Sequence, residues 1–186
     1  MRIISGDAKG RTLFAPQGAE TRPTSDKLRG SIFNILGGRV ADARVLDLFG
    51  GTGALALEAL SRGAARAVIS DTSRAALQCI ERNARNVLKD DFDSRVRILR
   101  ADYRAAIEKA GDVFDLVFLD PPYRMAGAYG DALERLAGAG KLAPGCVIVM
   151  ERAKQVEIEL PPGVVQKDLR LYGDTAVEFA EWTEAP

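Results

Sequence analysis

The sequence predicts an α/β fold: a mostly parallel sheet with helices on both faces, finished by an antiparallel hairpin. Three observations carry this expectation. Short apolar runs alternate with helical patterns from Arg44 to Met150. Each run is continuous, as in a strand buried on both faces. After Gln166 the pattern becomes alternation around Tyr172-Gly173-Asp174, as in a hairpin with one solvated face.

The elements follow in order. A first segment, residues 1–39, reads as a small β-hairpin and a helix. One strand covers Arg2 to Ser5, and the other runs from Arg11 to Phe14 and stops before Pro16. The helix spans Ser25 to Leu36, with Leu28, Ile32, Ile35 and Leu36 as its apolar face and Gly37-Gly38 as its end. The parallel strands are centred on Val45–Phe49, Ala67–Ile69, Val96–Leu99, Leu116–Leu119 and Val147–Met150. Helices are expected near 54–62, 73–88, 102–110 and 129–137. In the second of these, Ala76, Leu77, Ile80, Ala84, Val87 and Leu88 share a face. The strands Gln166–Leu171 and Ala176–Trp182 close the sheet.

Composition bounds the function. A chain of 186 residues and 20.0 kDa suits one domain, 1–186, with residues 1–39 as an extension packed on it. At 47% apolar and 28% charged it is globular. No apolar run approaches a membrane span, the start lacks a signal-peptide layout, and Cys79 and Cys146 form no disulfide or zinc framework. A reduced, cytoplasmic protein, monomeric and without membrane or metal, is expected. The chain has no histidine, which excludes a Ser-His-Asp triad, a Cys-His pair, an imidazole base and a His-ligated zinc. Net charge is zero, but residues 1–39 hold seven basic against three acidic groups, a local +4. That segment is either a phosphate-binding surface or an ordinary solvated face.

Two motifs carry chemistry. Asp47-Leu48-Phe49-Gly50-Gly51-Thr52-Gly53 joins the first parallel strand to its helix. Glycines there let the backbone turn and approach a ligand, and the helix start offers free N–H groups. Asp71 ends the next strand, where an acid accepts hydrogen bonds from ribose hydroxyls. Asp47, Gly50, Gly51, Gly53 and Asp71 therefore form a candidate nucleoside site. Asp102 joins that set or caps the helix that follows it. The second motif, Asp120-Pro121-Pro122-Tyr123, follows the fourth parallel strand. It offers a carboxylate, a rigid carbonyl and an aromatic face, which suit a planar base with an exocyclic amine. Asp120, Pro121 and Tyr123 are the candidate catalytic residues. Glu151 ends the fifth strand with no role assigned.

At this point the chain resembles the RsmD family of small-subunit ribosomal RNA guanine-N2 methyltransferases. The resemblance rests on Arg2-Ile3-Ile4-Ser5-Gly6, Lys9-Gly10-Arg11, Arg22-Pro23-Thr24-Ser25-Asp26, Asp47 to Gly53, Glu58 to Ala64 and Asp120 to Tyr123. The glycine loop and the DPPY-type motif belong to many amino-methyltransferases; the front segment points to this family. The resemblance implies a Rossmann-like class I methyltransferase sheet and S-adenosylmethionine as cofactor. It also implies a 16S rRNA substrate, free or in a partly assembled small subunit, modified at a guanine of the position-966 type. Arg2, Lys9, Arg11 and Arg22 would contact RNA phosphates. The chain departs from the family at Asp71 and Gly30, where Glu is usual or frequent; Gly30 should weaken its helix locally. Three other readings share some features: an adenine or cytosine amino-methyltransferase, a nicotinamide-dependent oxidoreductase, and a non-catalytic RNA-binding protein. The oxidoreductase leaves Asp120 to Tyr123 unexplained, and a pure binder has no need of the glycine loop and its acids.

Overall fold

The computed structural model describes residues 1–16 and 25–183. Arg22 lies outside the described residues. Seven strands make one sheet: β1 (Arg44–Asp47), β2 (Arg66–Asp71), β3 (Val96–Arg100), β4 (Phe114–Leu119), β5 (Leu142–Ala153), β6 (Val164–Tyr172) and β7 (Thr175–Trp182). Their order is β3-β2-β1-β4-β5-β7-β6. The first five are parallel, and β7 runs antiparallel to both β5 and β6. The expected parallel sheet and terminal hairpin are both present.

Successive residues of each central strand feed opposite cores. Val45, Leu116, Phe118, Val147 and Val149 pack on one face with α1 (Asp26–Leu36), α2 (Ala54–Ser61), α3 (Arg74–Leu88) and Phe92 of the short α4 (Phe92–Arg95). Leu46, Val117, Leu119, Ile148 and Met150 pack on the other with α5 (Tyr103–Lys109) and α6 (Ala128–Gly138). Both faces are covered, which is why these strands read as unbroken apolar runs.

The front segment differs from its expected form. The hairpin is a single antiparallel bridge, Arg2 to Thr12, flanked by backbone bonds from Ile3 to Arg11 and from Leu13 to Met1. It does not extend because its next donors turn to side chains. The Ile4 and Ser5 amides donate to Glu58 of α2 at 2.8 and 3.0 Å, and the Ala8 amide donates to Ser61 Oγ at 3.0 Å. The Phe14 amide donates to Asn83 of α3 at 2.8 Å. Gly6 lies so close to α2 that a Cβ would sit 1.7 Å from the Ser61 carbonyl oxygen.

Helix α1 starts as expected, with Ser25 Oγ accepting from the Leu28 amide. Its buried face is Leu28, Arg29, Ile32, Phe33 and Leu36, and Ile35 is exposed. Of the expected face, Leu28, Ile32 and Leu36 are buried and only Ile35 is not; Arg29 and Phe33 join it from the adjoining positions. Arg29 is fully buried, pairing with Asp26 at 2.9 Å and with the equally buried Glu58 at 3.6 Å. Glu58 also receives Arg62 Nε at 2.7 Å. Helix α1 runs unbroken through Gly30, where a Cβ would meet only Ile4 Cδ1, at 3.7 Å.

Candidate active site

The strand order reverses between β1 and β4, because β2 and β3 extend the sheet to one side of β1, and β4 and β5 to the other. A crevice opens beyond the carboxyl ends of strands at such a point. Here it is a cleft of about 830 Å³. Gly50 and Gly51 of the glycine turn after β1 and Asp120 to Tyr123 after β4 line it, with Asp47, Asp71 and Glu151; Gly53 is not among the lining residues and packs toward Leu57 and Ile80 instead. The two motifs, some 70 residues apart in sequence, share one wall-to-wall space.

The glycine turn is built tightly. The Gly50 amide donates to the Ser70 carbonyl at 2.8 Å, and the Gly53 amide to the Gly50 carbonyl at 2.6 Å. A Cβ on Gly50 would lie 2.5 Å from Ile69 Cγ2 and 2.9 Å from Ile80 Cδ1. Gly51 has φ +55° and nothing within 4 Å of where its Cβ would be, so it presents bare backbone to open space. Asp71 fastens this turn. Its Oδ2 accepts from the Gly51 amide at 2.9 Å and its Oδ1 from the Ser73 amide at 2.8 Å. Each oxygen keeps a lone pair for a ligand. Asp102 caps α5 by accepting from the Ala105 amide at 2.9 Å, and it is not among the residues lining the cleft.

Acids at the ends of β1 and β4 shape the electrostatics. Burial pushes the Asp47 carboxyl up to about 7, against the opposing pull of the Phe49 and Ala56 backbone amides. Burial, then Glu151, then Asp47 raise Asp120 well above the usual carboxylate range. Such a site favours a ligand that brings positive charge or several hydrogen-bond donors. Tyr123 is 65% exposed, a ring available for stacking at the cleft mouth.

Comparison with known proteins fits this geometry. The family model Cons_hypoth95 (Conserved hypothetical protein 95) matches residues 1–181. The Ribosomal RNA small subunit methyltransferase D of Escherichia coli is 35% identical over 161 residues, 87% of this chain and 78% of that protein. YlbH of Bacillus subtilis is 40% identical over 127 residues, 67% of each chain. The solved structure of yhhF from Escherichia coli superposes with a TM-score of 0.85 at 32% identity, covering 98% of both chains. The chain belongs to the RsmD family.

Within this RsmD-family chain, several residues that shape the cleft lie beyond the motifs. Ser25, Lys27 and Leu28 of the front segment form part of the cleft wall, as do Tyr172, Gly173 and Thr175 from the β6–β7 turn. Ser31 and Tyr172 hydroxyls bond to each other and tie these two walls together. Asn83 is fully buried; its Nδ2 donates to the Thr52 and Phe14 carbonyls, both at 2.9 Å, so it links the glycine turn to the front segment. The signal for Asn83 was a polar residue on the apolar face of its helix. For Glu58 it was a lone charge inside the apolar stretch Ala54–Leu60.

The front segment's charge is divided: Arg11, Arg29 and Arg39 find partners within the protein, and Arg2, Lys9 and Lys27 face solvent. Arg11 donates to the Asn86 and Val87 carbonyls at the end of α3, at 2.7 and 2.6 Å. Arg39 pairs with Glu181 at 2.8 Å. Arg2 is exposed and 3.9 Å from Asp26; Lys9 and Lys27 are exposed. Among the described residues, no helix is long and apolar enough to cross a membrane, and no acid or cysteine group could hold a metal ion.

Proposed function

We propose that the chain methylates the exocyclic N2 amine of a guanine in small-subunit ribosomal RNA, using S-adenosylmethionine. The observation that carries this reading is the meeting of the glycine turn and Asp120 to Tyr123 across one cleft at the β1/β4 reversal. The substrate is supported by kinship with the Escherichia coli enzyme named for small-subunit ribosomal RNA. The position-966 type of target belongs to the same proposal.

The residues present fit the cofactor. Gly51 leaves room for a close-lying ligand, Asp71 holds the turn and has lone pairs left for a ribose, and Asp47 supplies negative charge. When bound, S-adenosylmethionine supplies a methyl carbon on a sulfonium whose sulfur leaves as a neutral thioether. A leaving group of that kind needs no acid, which suits a chain without histidine. The protein's task is then positioning. Asp120 and the Pro121 carbonyl accept the amine N–H bonds, turn its lone pair toward the methyl, and stabilise the charge that develops on nitrogen. Tyr123 stacks the base once it leaves its helix. The surplus proton on the methylated nitrogen would pass to the Asp120 carboxylate, which the N–H donors of the bound base hold in its ionised form.

The direct test is transfer of labelled methyl to small-subunit rRNA, followed by mapping of the modified nucleotide. N2-methylguanine is the expected product. A methyl group on an adenine or cytosine amine, or none on RNA, would overturn the reading.

Asp71→Ala should weaken S-adenosylmethionine by roughly tenfold or more, because it removes ribose acceptors and releases the Gly51 amide. Calorimetry that finds unchanged affinity removes Asp71 from the cofactor site.

Cofactor binding should also depend on pH. With Asp47 titrating at about 7 in the free protein, a cationic ligand must displace its proton below that pH. Affinity should therefore strengthen by about tenfold between pH 6 and pH 8. Asp47→Asn should flatten the dependence, and an equally steep profile in that variant would assign the proton elsewhere.

Arg2→Ala with Lys9→Ala should weaken RNA binding and reduce its salt slope by about two, if both side chains meet phosphates. Arg11→Ala should instead lower stability, because its guanidinium caps α3. A wild-type salt slope in the double variant would show that neither residue touches phosphate.

A further inference from the structure

Asp120 follows the end of β4, and Glu151 lies on the neighbouring parallel strand β5, which runs on to Ala153 and does not end at Glu151 as the sequence predicts. Leu119 of β4 pairs in register with Met150 of β5, so the next residue on each strand is an acid. Adjacent strands lie about 4.8 Å apart, close enough for both acids to meet one base edge. Both line the cleft, beside the exposed Tyr123 ring. The hydroxyl of the buried Tyr129 donates to the Glu151 backbone carbonyl, which fixes the stretch of β5 that carries this side chain.

The three nucleobases that carry an exocyclic amine differ in what stands beside it. In guanine the amine at C2 adjoins N1–H, so the edge offers donors side by side. In adenine the amine adjoins N1, and in cytosine it adjoins N3; both neighbours are acceptors. An ionised carboxylate only accepts hydrogen bonds. Two adjacent carboxylates therefore match the guanine edge, and one of the two would face a lone pair on adenine or cytosine.

We propose that Glu151 is the residue that selects guanine: it accepts the N1–H while Asp120 holds the amine that is methylated. The proposal rests on the reading of this cleft as a guanine-N2 methyltransferase site. The repulsion that Glu151 exerts on Asp120 is consistent with it, because the edge that satisfies both acids is one rich in donors.

The probe is 2-aminopurine, which keeps the amine at C2 but has an acceptor at N1. RNA spanning the mapped target is prepared with guanosine or with 2-aminopurine riboside at that nucleotide. Wild type should prefer guanosine by about a hundredfold or more in kcat/KM, since a site built for a donor rejects an analogue lacking it. Glu151→Gln, whose amide can donate to N1 as well as accept from N1–H, should narrow the ratio to within about tenfold. Glu151→Asp, which keeps the carboxylate, should retain the preference at a lower rate. S-adenosylmethionine affinity, within about twofold of wild type, verifies that the variants are folded.

An unchanged ratio in Glu151→Gln overturns the proposal even if turnover falls, since a purely structural role would slow both substrates alike. Near-equal use of the two bases by wild type overturns it without any variant. Failure of wild type to methylate guanosine RNA is a different result; it removes the guanine-N2 reading itself.

Discussion

Asp120→Asn is expected to lower turnover by about a hundredfold or more, with S-adenosylmethionine bound within about twofold of wild type. The substitution keeps size and one acceptor, but it removes the charge and presents an NH₂ that competes with the target amine as a donor. It also removes the proton acceptor whose basicity burial and the neighbouring Glu151 have raised. The lost interaction strengthens as positive charge develops on the amine, so it appears in the chemical step and little in cofactor binding. Single-turnover methyl transfer at saturating cofactor isolates that step. Full activity there would move the chemistry away from Asp120. Tyr123 gives the contrasting pattern. Tyr123→Ala should chiefly raise the RNA concentration needed for saturation, because the exposed ring acts as a stacking platform. Tyr123→Phe should be mild, since stacking needs the ring and not the hydroxyl.

Glu58→Ala should destabilise the fold by about 3–5 kcal/mol, the usual cost of stripping one partner from a buried ion pair. Glu58 is fully buried in α2 and serves four groups: the Ile4 and Ser5 amides, Arg29 and Arg62. Truncation would leave a fully buried guanidinium with Asp26 as its remaining carboxylate partner, and two backbone donors without their acceptor. Glu58→Gln, which keeps acceptor capacity, should cost less. Urea unfolding measures both. A loss below about 1 kcal/mol in the alanine variant would mean that the front segment re-pairs or detaches cheaply. The consequence reaches function, because Ser25, Lys27 and Leu28 of that segment form part of the cleft wall.

These two sites differ in how far they were legible. Asp120 and Tyr123 stand in a compact motif at a strand end, where local pattern alone marks them. Glu58 also lay in plain sequence, inside an apolar helix, yet its partners Ile4, Ser5 and Arg29 are 29 to 54 residues away. No periodicity reports such a contact. The front hairpin shows the same limit. Its residues alternate well enough for two strands, but side chains of α2 and α3 draw off the backbone donors of Ile4, Ser5 and Phe14. Charge counting met that limit too. The local +4 is real, but Arg11 and Arg29 turn onto carbonyls and carboxylates of the protein, and Arg39 pairs with Glu181 at the surface.

By itself the sequence determined the seven strands of the sheet and the longer helices, since a run buried on both faces and a helix with one apolar stripe leave different local records. It also determined the chemical vocabulary: a glycine turn with acids beside it, a DPPY motif, and no imidazole. Only the tertiary structure decided which of those groups meet. The sheet grows outward from β1 in both directions, first through β2 and β3 and then through β4 and β5. That reversal, a property of strand order and not of any single strand, brings the turn after β1 beside Asp120. Strand register then sets Asp120 next to Glu151. Pairing between parallel strands runs through backbone hydrogen bonds that any residue can make, so neither neighbour is written in the local pattern of the other.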